Sequence, residues 1–290
     1  MGALDIGGSH ISAGRVDLTG RSVEAHSRLR VPFPVAATRA ELLAAIAHAA
    51  ASIAQPGLSR LGVAVPGPFD YPGGVSKAAH KLHGLCGVDL RSELCGALRL
   101  TDPATVRFLN DAHAFLLGEW WAGPVRGHSR AVGVTLGTGL GSAFIEDGRI
   151  VHTDPRVPPG GALWELRFRG APVEQTISSG ALLARSVTLP ADQIDVEDVA
   201  ERARAGERSA RRVFEELGQA LGEFLAPWLT AFEPSCLVVG GSIARSWELF
   251  EASLRAELEP IESVATVTLA EQLDDAPLLG AAWCVASGRR

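Results

Sequence analysis

Apolar residues recur along the chain in short runs broken by glycine, and these runs alternate with longer stretches of helical spacing. Ala3–Ile6 and Ile11–Val16 face each other across Gly7-Gly8, a pattern that predicts a β-hairpin. Glu24–Val31 reads as a third strand, and Arg39–Ala54 is Ala/Leu-rich at helical spacing. "RLGVAVPGPFD", Arg60–Asp70, reads as a buried strand entering a Pro/Gly turn. Leu90–Leu98 predicts a helix, "VRFLND" a strand, and Ala112–Ala122 the helix after it. "RAVGVTLGTGLGSAFIEDGRI" is a second glycine-rich hairpin, followed by mostly helical sequence over 180–232. "SCLVVGGSIA" is a strand with a third glycine turn, leading into a helix through Leu258. "VATVTLA" is the last strand and "PLLGAAWCVAS" the last helix. Alternating strands and helices of this kind predict an α/β protein with mixed sheets in two lobes. The two glycine-bent hairpins, one at the front and one in the middle, point to an internal duplication.

The totals narrow the class. At 290 residues the chain is too long for one small core and suits two lobes. Net charge is −6, which gives no reason to expect a nucleic-acid or membrane partner. Only Lys77 and Lys81 are lysines, so the cations are nearly all arginine. The cysteines are Cys86, Cys95, Cys236 and Cys284, with no C-x-x-C pair and no histidine placed to complete a metal set. With no signal-peptide pattern, four free thiols in a reducing cytoplasm are expected.

Three glycine turns, "DIGGS", "TLGTGLGS" and "VVGGSIA", each follow an apolar strand. Each offers backbone N–H groups with no side chain to block an approaching anion. One such turn is ordinary, whereas three in one chain suit a ligand with several anionic groups, such as a nucleoside triphosphate. None is a P-loop, and the dinucleotide fingerprint is absent after the first strand. Asp5, alone, reads as a turn-capping carboxylate. Asn110-Asp111, alone, reads as a helix N-cap.

Taken together, "LDIGGSHISAGRVD", "GVAVPGPFD", "FLNDAHAFLLGEWWAG", "VTLGTGLGSAFIEDGRI" and "VVGGSIA" resemble the successive motifs of the ROK family of sugar kinases, in the family's order. "HKLHGLCGVDLRSEL" also resembles the segment after the family's Pro-Gly strand. The resemblance implies a two-lobed actin-like ATPase (ribonuclease H-like) fold with a central cleft. The small lobe would be 1–110, with the C-terminal helix of about 276–290 packing back on it, and the large lobe 111–275. It implies that Asp5 faces Mg²⁺ and the phosphates through water. Gly7, Gly8 and Ser9 would line the phosphates from one lobe, and Thr135, Gly137, Thr138 and Gly139 from the other. Gly240 and Gly241 would approach the nucleoside. Asp111 would be the catalytic base, with Asn110 holding a ring hydroxyl beside it.

The chain departs from the family where most members carry G-E-x-G-H and then C-x-C-G-x-x-G-C-x-E, whose His and Cys hold a structural zinc. Here "PPGGALWELRFRGAPVEQTISSGALLAR" contains no cysteine, so that zinc is not expected. Glu165 matches the Glu of the first motif and Glu174 the Glu that ends the second; both would touch the sugar. Phe168 sits at the spacing of the missing His, unless a short deletion removed the position. Each glutamate also reads as an ordinary surface carboxylate. His80, Lys81 and His83 are weaker candidates for the sugar site, His113 for a supporting role, and Trp120-Trp121 for the core.

The expected function is therefore an ATP-dependent hexose or amino-hexose 6-kinase, using ATP and Mg²⁺ and no zinc. Its partners would be a sugar and a nucleotide, its location cytoplasmic, its assembly a homodimer. The rivals are a non-catalytic sugar-binding pseudo-kinase and a sensor or repressor of the same fold. Family repressors carry an N-terminal DNA-binding domain, whereas this sequence opens on the first strand of the kinase fold.

Overall fold

The computed structural model describes residues 1–34, 36–78, 82–186 and 194–288. In chain order the first elements are β1 (Gly2–Ile6), β2 (His10–Asp17), β3 (Ser22–Val23), β4 (Leu29–Pro32), α1 (Arg39–Ile53), β5 (Leu61–Val65), β6 (Phe69–Asp70), β7 (Val75–Ser76), α2 (Leu90–Leu98), β8 (Val106–Asn110) and α3 (Asp111–Ala122). Then come β9 (Arg130–Leu136), β10 (Leu140–Glu146), β11 (Arg149–Ile150), β12 (Arg167–Phe168), β13 (Ala171–Pro172), α4 (Ser179–Arg185), α5 (Val196–Arg204) and α6 (Arg208–Phe232). The chain ends with β14 (Cys236–Gly240), α7 (Glu251–Leu258), β15 (Thr266–Leu269) and α8 (Ala276–Ser287).

These elements form two compact units, Met1–Arg126 with Asp274–Arg290, and Gly127–Leu273. In the first unit the sheet order is β3-β2-β1-β5-β8, with β4 also paired to β2. The β1–β2 pair is antiparallel, while β1, β5 and β8 run parallel. Helix α1 starts on a capping box in which Thr38 and Glu41 satisfy each other's backbone N–H groups. A core of Leu4, Ile6, Ile11, Ile46, Ile53 and Leu61, with their neighbours, fills the space between α1, α2 and the sheet. In the second unit the sheet order is β11-β10-β9-β14-β15, again a hairpin followed by parallel strands. The apolar face of the 25-residue α6 covers it, burying Phe214, Leu221 and Phe232 among others. Both units thus repeat a hairpin-plus-parallel-strand plan, as the two glycine-bent hairpins foretold.

Two details differ from the pattern-based expectation. Glu24–Val31 is not one strand: β3 ends at Val23 and a helical turn, Ala25–Ser27, separates it from β4. The cause is Ser27, whose buried hydroxyl donates to the Glu24 carbonyl and accepts from the Arg15 N–H. A local hydroxyl–backbone bond of this kind competes with the strand ladder. Helix α3, placed with 111–275 from sequence, lies in the first unit, packed on α8. Glycines bring these helices together. A Cβ on Gly280 would lie 1.8 Å from the Ala114 carbonyl oxygen, and one on Gly118 2.0 Å from that of Ala276. Trp121 is buried and stacks on Trp283 at 5.3 Å, so these rings serve the core.

Candidate functional site

In the first unit the candidate residues gather at the carboxyl ends of three parallel strands, where α/β proteins commonly bind ligands. Register pairs Asp5 with Ala64, Ala64 with Leu109 and Val65 with Asn110. Ala3, Leu4 and Ile6 are fully buried, yet Asp5 stands between them with a carboxylate. Burial, together with the nearby Asp111 charge, pushes the Asp5 carboxyl up to about 7, while Arg30 on β4 pulls it down. The turn beside it is closed by a 2.9 Å bond from the Gly7 N–H to the His10 carbonyl. A Cβ on Gly8 would meet nothing within 4 Å, so the turn presents bare backbone. Ser9 is exposed next to it. The His10 Nδ1 lies 3.3 Å from Ser9 Oγ and 3.4 Å from Arg30 Nη2. Burial and Arg30 push the His10 ring below its usual range, against the pull of Asp274, so it is a neutral dipole beside a cation.

Asn110 is the N-cap of α3: its Oδ1 accepts from the N–H groups of Ala112 at 2.9 Å and His113 at 3.2 Å. The cap reading of Asn-Asp is therefore correct for Asn110. It does not compete with a ligand role, because capping uses the amide oxygen and leaves the amide nitrogen. Asp111 is the first helical residue, and its Oδ1 accepts from the Ala112 N–H at 2.9 Å. A helix N-terminus favours the anion there. The Asn110 Nδ2 donates to the Tyr71 hydroxyl at 3.3 Å.

In the second unit the remaining candidates surround one turn. Hairpin β9–β10 turns through Gly137–Gly139, with the Gly137 N–H on the Gly139 carbonyl at 3.0 Å. Parallel pairing sets Gly240 beside Thr135. Gly241 has φ +88°, and a Cβ there would sit 2.3 Å from the Leu136 carbonyl oxygen, so only glycine fits. The Gly137 carbonyl accepts from the Ser179 N–H at 2.8 Å. Thr138, at the tip, is exposed. Glu174 belongs to the same cluster: its Oε1 accepts from the Leu140 N–H at 2.9 Å.

Glu165 is placed differently. It ends a helical turn, Leu163–Glu165, that is pinned to β10 through the buried Ser142, whose hydroxyl donates to Gly161 and accepts from Leu163. Its side chain is exposed, while its turn packs against the Val173–Gln175 turn that carries Glu174, with the Val173 N–H on the Leu166 carbonyl at 3.0 Å. Phe168 is buried edge-on against Phe224 at 5.4 Å, so it fills core rather than lining a polar site. His83 is exposed; His80 and Lys81 lie outside the described residues. Among the described residues no group of three or more His, Cys, Asp or Glu is placed to hold a metal ion, and no helix is long and apolar enough to cross a membrane.

Arg30, His10 and Tyr71 are site neighbours that the sequence patterns did not single out. Arg30 reaches the glycine turn because β4 pairs with β2, setting Arg30 opposite Ser12. The one available signal for Tyr71 was that it is the only tyrosine in the chain.

The chain is similar to known sugar kinases. The glucokinase of Streptomyces coelicolor is 28% identical over 96% of this chain and 95% of its own. The glucokinase of Thermotoga maritima is 26% identical over 77% of each chain. The structure of a ROK family glucokinase from Streptomyces griseus in complex with glucose and AMPPNP superposes with a TM-score of 0.79, at 25% identity and 99% coverage of both chains. The ROK family model matches residues 1–154 and 168–287, so the stretch passed over holds Glu165 and only the first part of the segment that departs from the zinc motif, Glu174 lying in the matched part. With nearly the whole chain matched, the protein belongs to the ROK family and shares the actin-like ATPase fold of its sugar kinases.

Proposed function

We propose that the protein is an ATP-dependent sugar kinase that phosphorylates the primary hydroxyl, position 6, of a hexose or amino-hexose such as glucose or kanosamine. The observation that carries this reading is the meeting of Asn110-Asp111 and Asp5 at the carboxyl ends of β1 and β8, beside an open glycine turn. Relatives described as glucokinases and N-acetyl-D-glucosamine kinases support it.

A primary hydroxyl is a poor nucleophile near neutral pH. Phosphoryl transfer needs alignment, charge neutralisation and a group that takes the hydroxyl proton. Asp111 is that group: the proton passes to it as the sugar oxygen attacks phosphorus. Asn110 holds a ring hydroxyl next to it. The backbone of Gly7, Gly8 and Ser9, and that of Thr135, Gly137, Thr138 and Gly139, receives the phosphates; Gly240 and Gly241 allow the nucleoside close. Arg30 adds positive charge near the first turn.

The donor set fits Mg²⁺, which binds proteins through one or two carboxylates while keeping several waters. Asp5 is disfavoured as an anion by its burial and by Asp111, a tension that a divalent cation relieves. Asp5 would hold the ion through water, and the ion would neutralise charge on the phosphates. In the second unit Glu174 and Glu165 face the sugar in this reading.

The test is a coupled assay of ADP release over a panel of hexoses and amino-hexoses with ATP and Mg²⁺. Sugar-dependent turnover, with the product phosphate on the primary oxygen by phosphorus NMR, is the expected outcome. Sugar binding by calorimetry without turnover on any sugar would make the protein a binding relative of the kinases instead.

A further inference from the structure

We infer that Tyr71 is a positioning residue that locks the Asn110 amide, so that Asn110 offers the sugar a single N–H donor in a fixed direction. The inference rests on the reading that Asn110 contacts the sugar.

The bonding leaves the amide little choice. Its Oδ1 accepts from two helix N–H groups, Ala112 and His113, which can only donate. Its Nδ2 therefore points away from the helix, and one of its two hydrogens goes to the Tyr71 oxygen at 3.3 Å. The Tyr71 hydroxyl has one hydrogen of its own, which it donates to the Val65 carbonyl at 3.3 Å. Val65 is the register partner of Asn110 across the β5–β8 pair, so the chain of bonds closes on the strand beside it. Every group in the loop has a fixed polarity, and reversing the amide would break it at both ends.

The ring itself is held. Tyr71 packs on Phe69 at 5.3 Å between centroids, and Phe69 on Phe108 at 5.0 Å, tying the loop after β6 to the strand that delivers Asn110. Burial, with a smaller push from the Asp111 charge, raises the Tyr71 hydroxyl to about 12 against the Asn110 hydrogen bond, so it stays a neutral phenol that both donates and accepts.

After this accounting one Nδ2 hydrogen remains. The atom it meets on the substrate must be an acceptor, such as a hydroxyl oxygen, and a charged amine at that atom would meet donor against donor. Asn110 thus selects for oxygen at the ring position it faces, and Tyr71 fixes where that position is.

The experiment compares wild type, Tyr71→Phe, Asn110→Ser and the double variant. Readouts are glucose KM and kcat, ATP KM, and glucose affinity by calorimetry without nucleotide. Tyr71→Phe keeps the ring and removes one oxygen, while Asn110→Ser keeps a cap and removes the amide donor. Tyr71→Phe is expected to weaken glucose KM and affinity by about three- to tenfold, the scale of one neutral hydrogen bond, with kcat and ATP KM nearly unchanged. In the Asn110→Ser background it should add nothing, because residues acting through one another are not additive. If Asn110→Ser leaves glucose affinity intact, the contact reading falls and this inference with it. If Asn110→Ser weakens glucose but Tyr71→Phe does not, or if the two effects add, the positioning role is wrong while the contact reading stands.

Discussion

In the proposed mechanism Asp111 meets two demands at once, since the first turn of a helix welcomes a carboxylate and a kinase needs one beside its acceptor hydroxyl. Asp111→Asn keeps the shape and the cap but cannot take a proton. It should cost about 10²–10⁴-fold in kcat, with sugar affinity kept within about tenfold. A coupled assay and calorimetry on one preparation check this, and a variant retaining more than about a tenth of the rate removes Asp111 as the base. The Tyr71 contribution should not titrate. Its hydroxyl is raised to about 12, so it keeps its proton well above neutrality, and the KM ratio of Tyr71→Phe to wild type should stay flat between about pH 6 and 9. A ratio that falls toward one as pH rises through that range would mean an ionising Tyr71. At this scale, polar residues in apolar strand ends were legible: Asp5 and Asn110-Asp111 stand out against their runs. Tyr71 and Arg30 were not, because each reaches the site through pairing with sequence far away, Tyr71 across 39 residues to Asn110.

Helix α3 carries Asp111 at its N-terminus, and α8 fixes where α3 lies. The two approach so closely that glycine is required on both: Gly118 meets the Ala276 carbonyl and Gly280 the Ala114 carbonyl. Gly62 on β5 has the same relation to the Ala281 carbonyl, where a Cβ would fall 2.2 Å away, so α8 is wedged between helix and sheet. Gly280→Ala gains helix propensity in isolation but forces backbone apart here. It should destabilise the protein by about 1–3 kcal/mol, read as a lower urea midpoint with unchanged slope. Because α3 must shift to make room, kcat should fall as well. A variant of wild-type stability and rate would show that the helices have slack. Helices and strands with clean periodicity, such as α1, α2 and β5, were readable to within a residue or two from spacing alone. The break at 25–27 was not, because it depends on one serine hydroxyl reaching Arg15, twelve positions back. The nearness of α3 to α8 was also hidden, since glycine inside a helix pattern does not say what will approach it.

For the whole molecule the doubled plan was legible, because each hairpin announces itself by glycines at a strand end, while the loop between β11 and α4 was not, its residues following neither strand nor helix period. That loop decides two predictions. It has no cysteine, so purified protein should contain no stoichiometric zinc yet require Mg²⁺ for turnover, and elemental analysis finding one zinc per chain would refute the reading of 155–180. In the proposed reading the same loop also sets the charge offered to the sugar. Glu174 has one oxygen committed to the Leu140 N–H, a neutral donor, and Glu165 is exposed. Phe168, at the spacing of the family's histidine, is buried in core and supplies no polar partner. In the proposed reading, two carboxylates at the sugar without the family's histidine favour a substrate that brings its own cation. A charge-assisted hydrogen bond contributes about 1.5–3 kcal/mol, roughly 10- to 150-fold in kcat/KM if made in the transition state. Kanosamine or glucosamine should then gain over glucose near pH 7, where the amine is largely charged. Glu174→Gln should erase that gain while leaving glucose turnover within a few-fold. Glucose ahead of both amines by tenfold or more would end the carboxylate argument and leave a glucose-selective kinase.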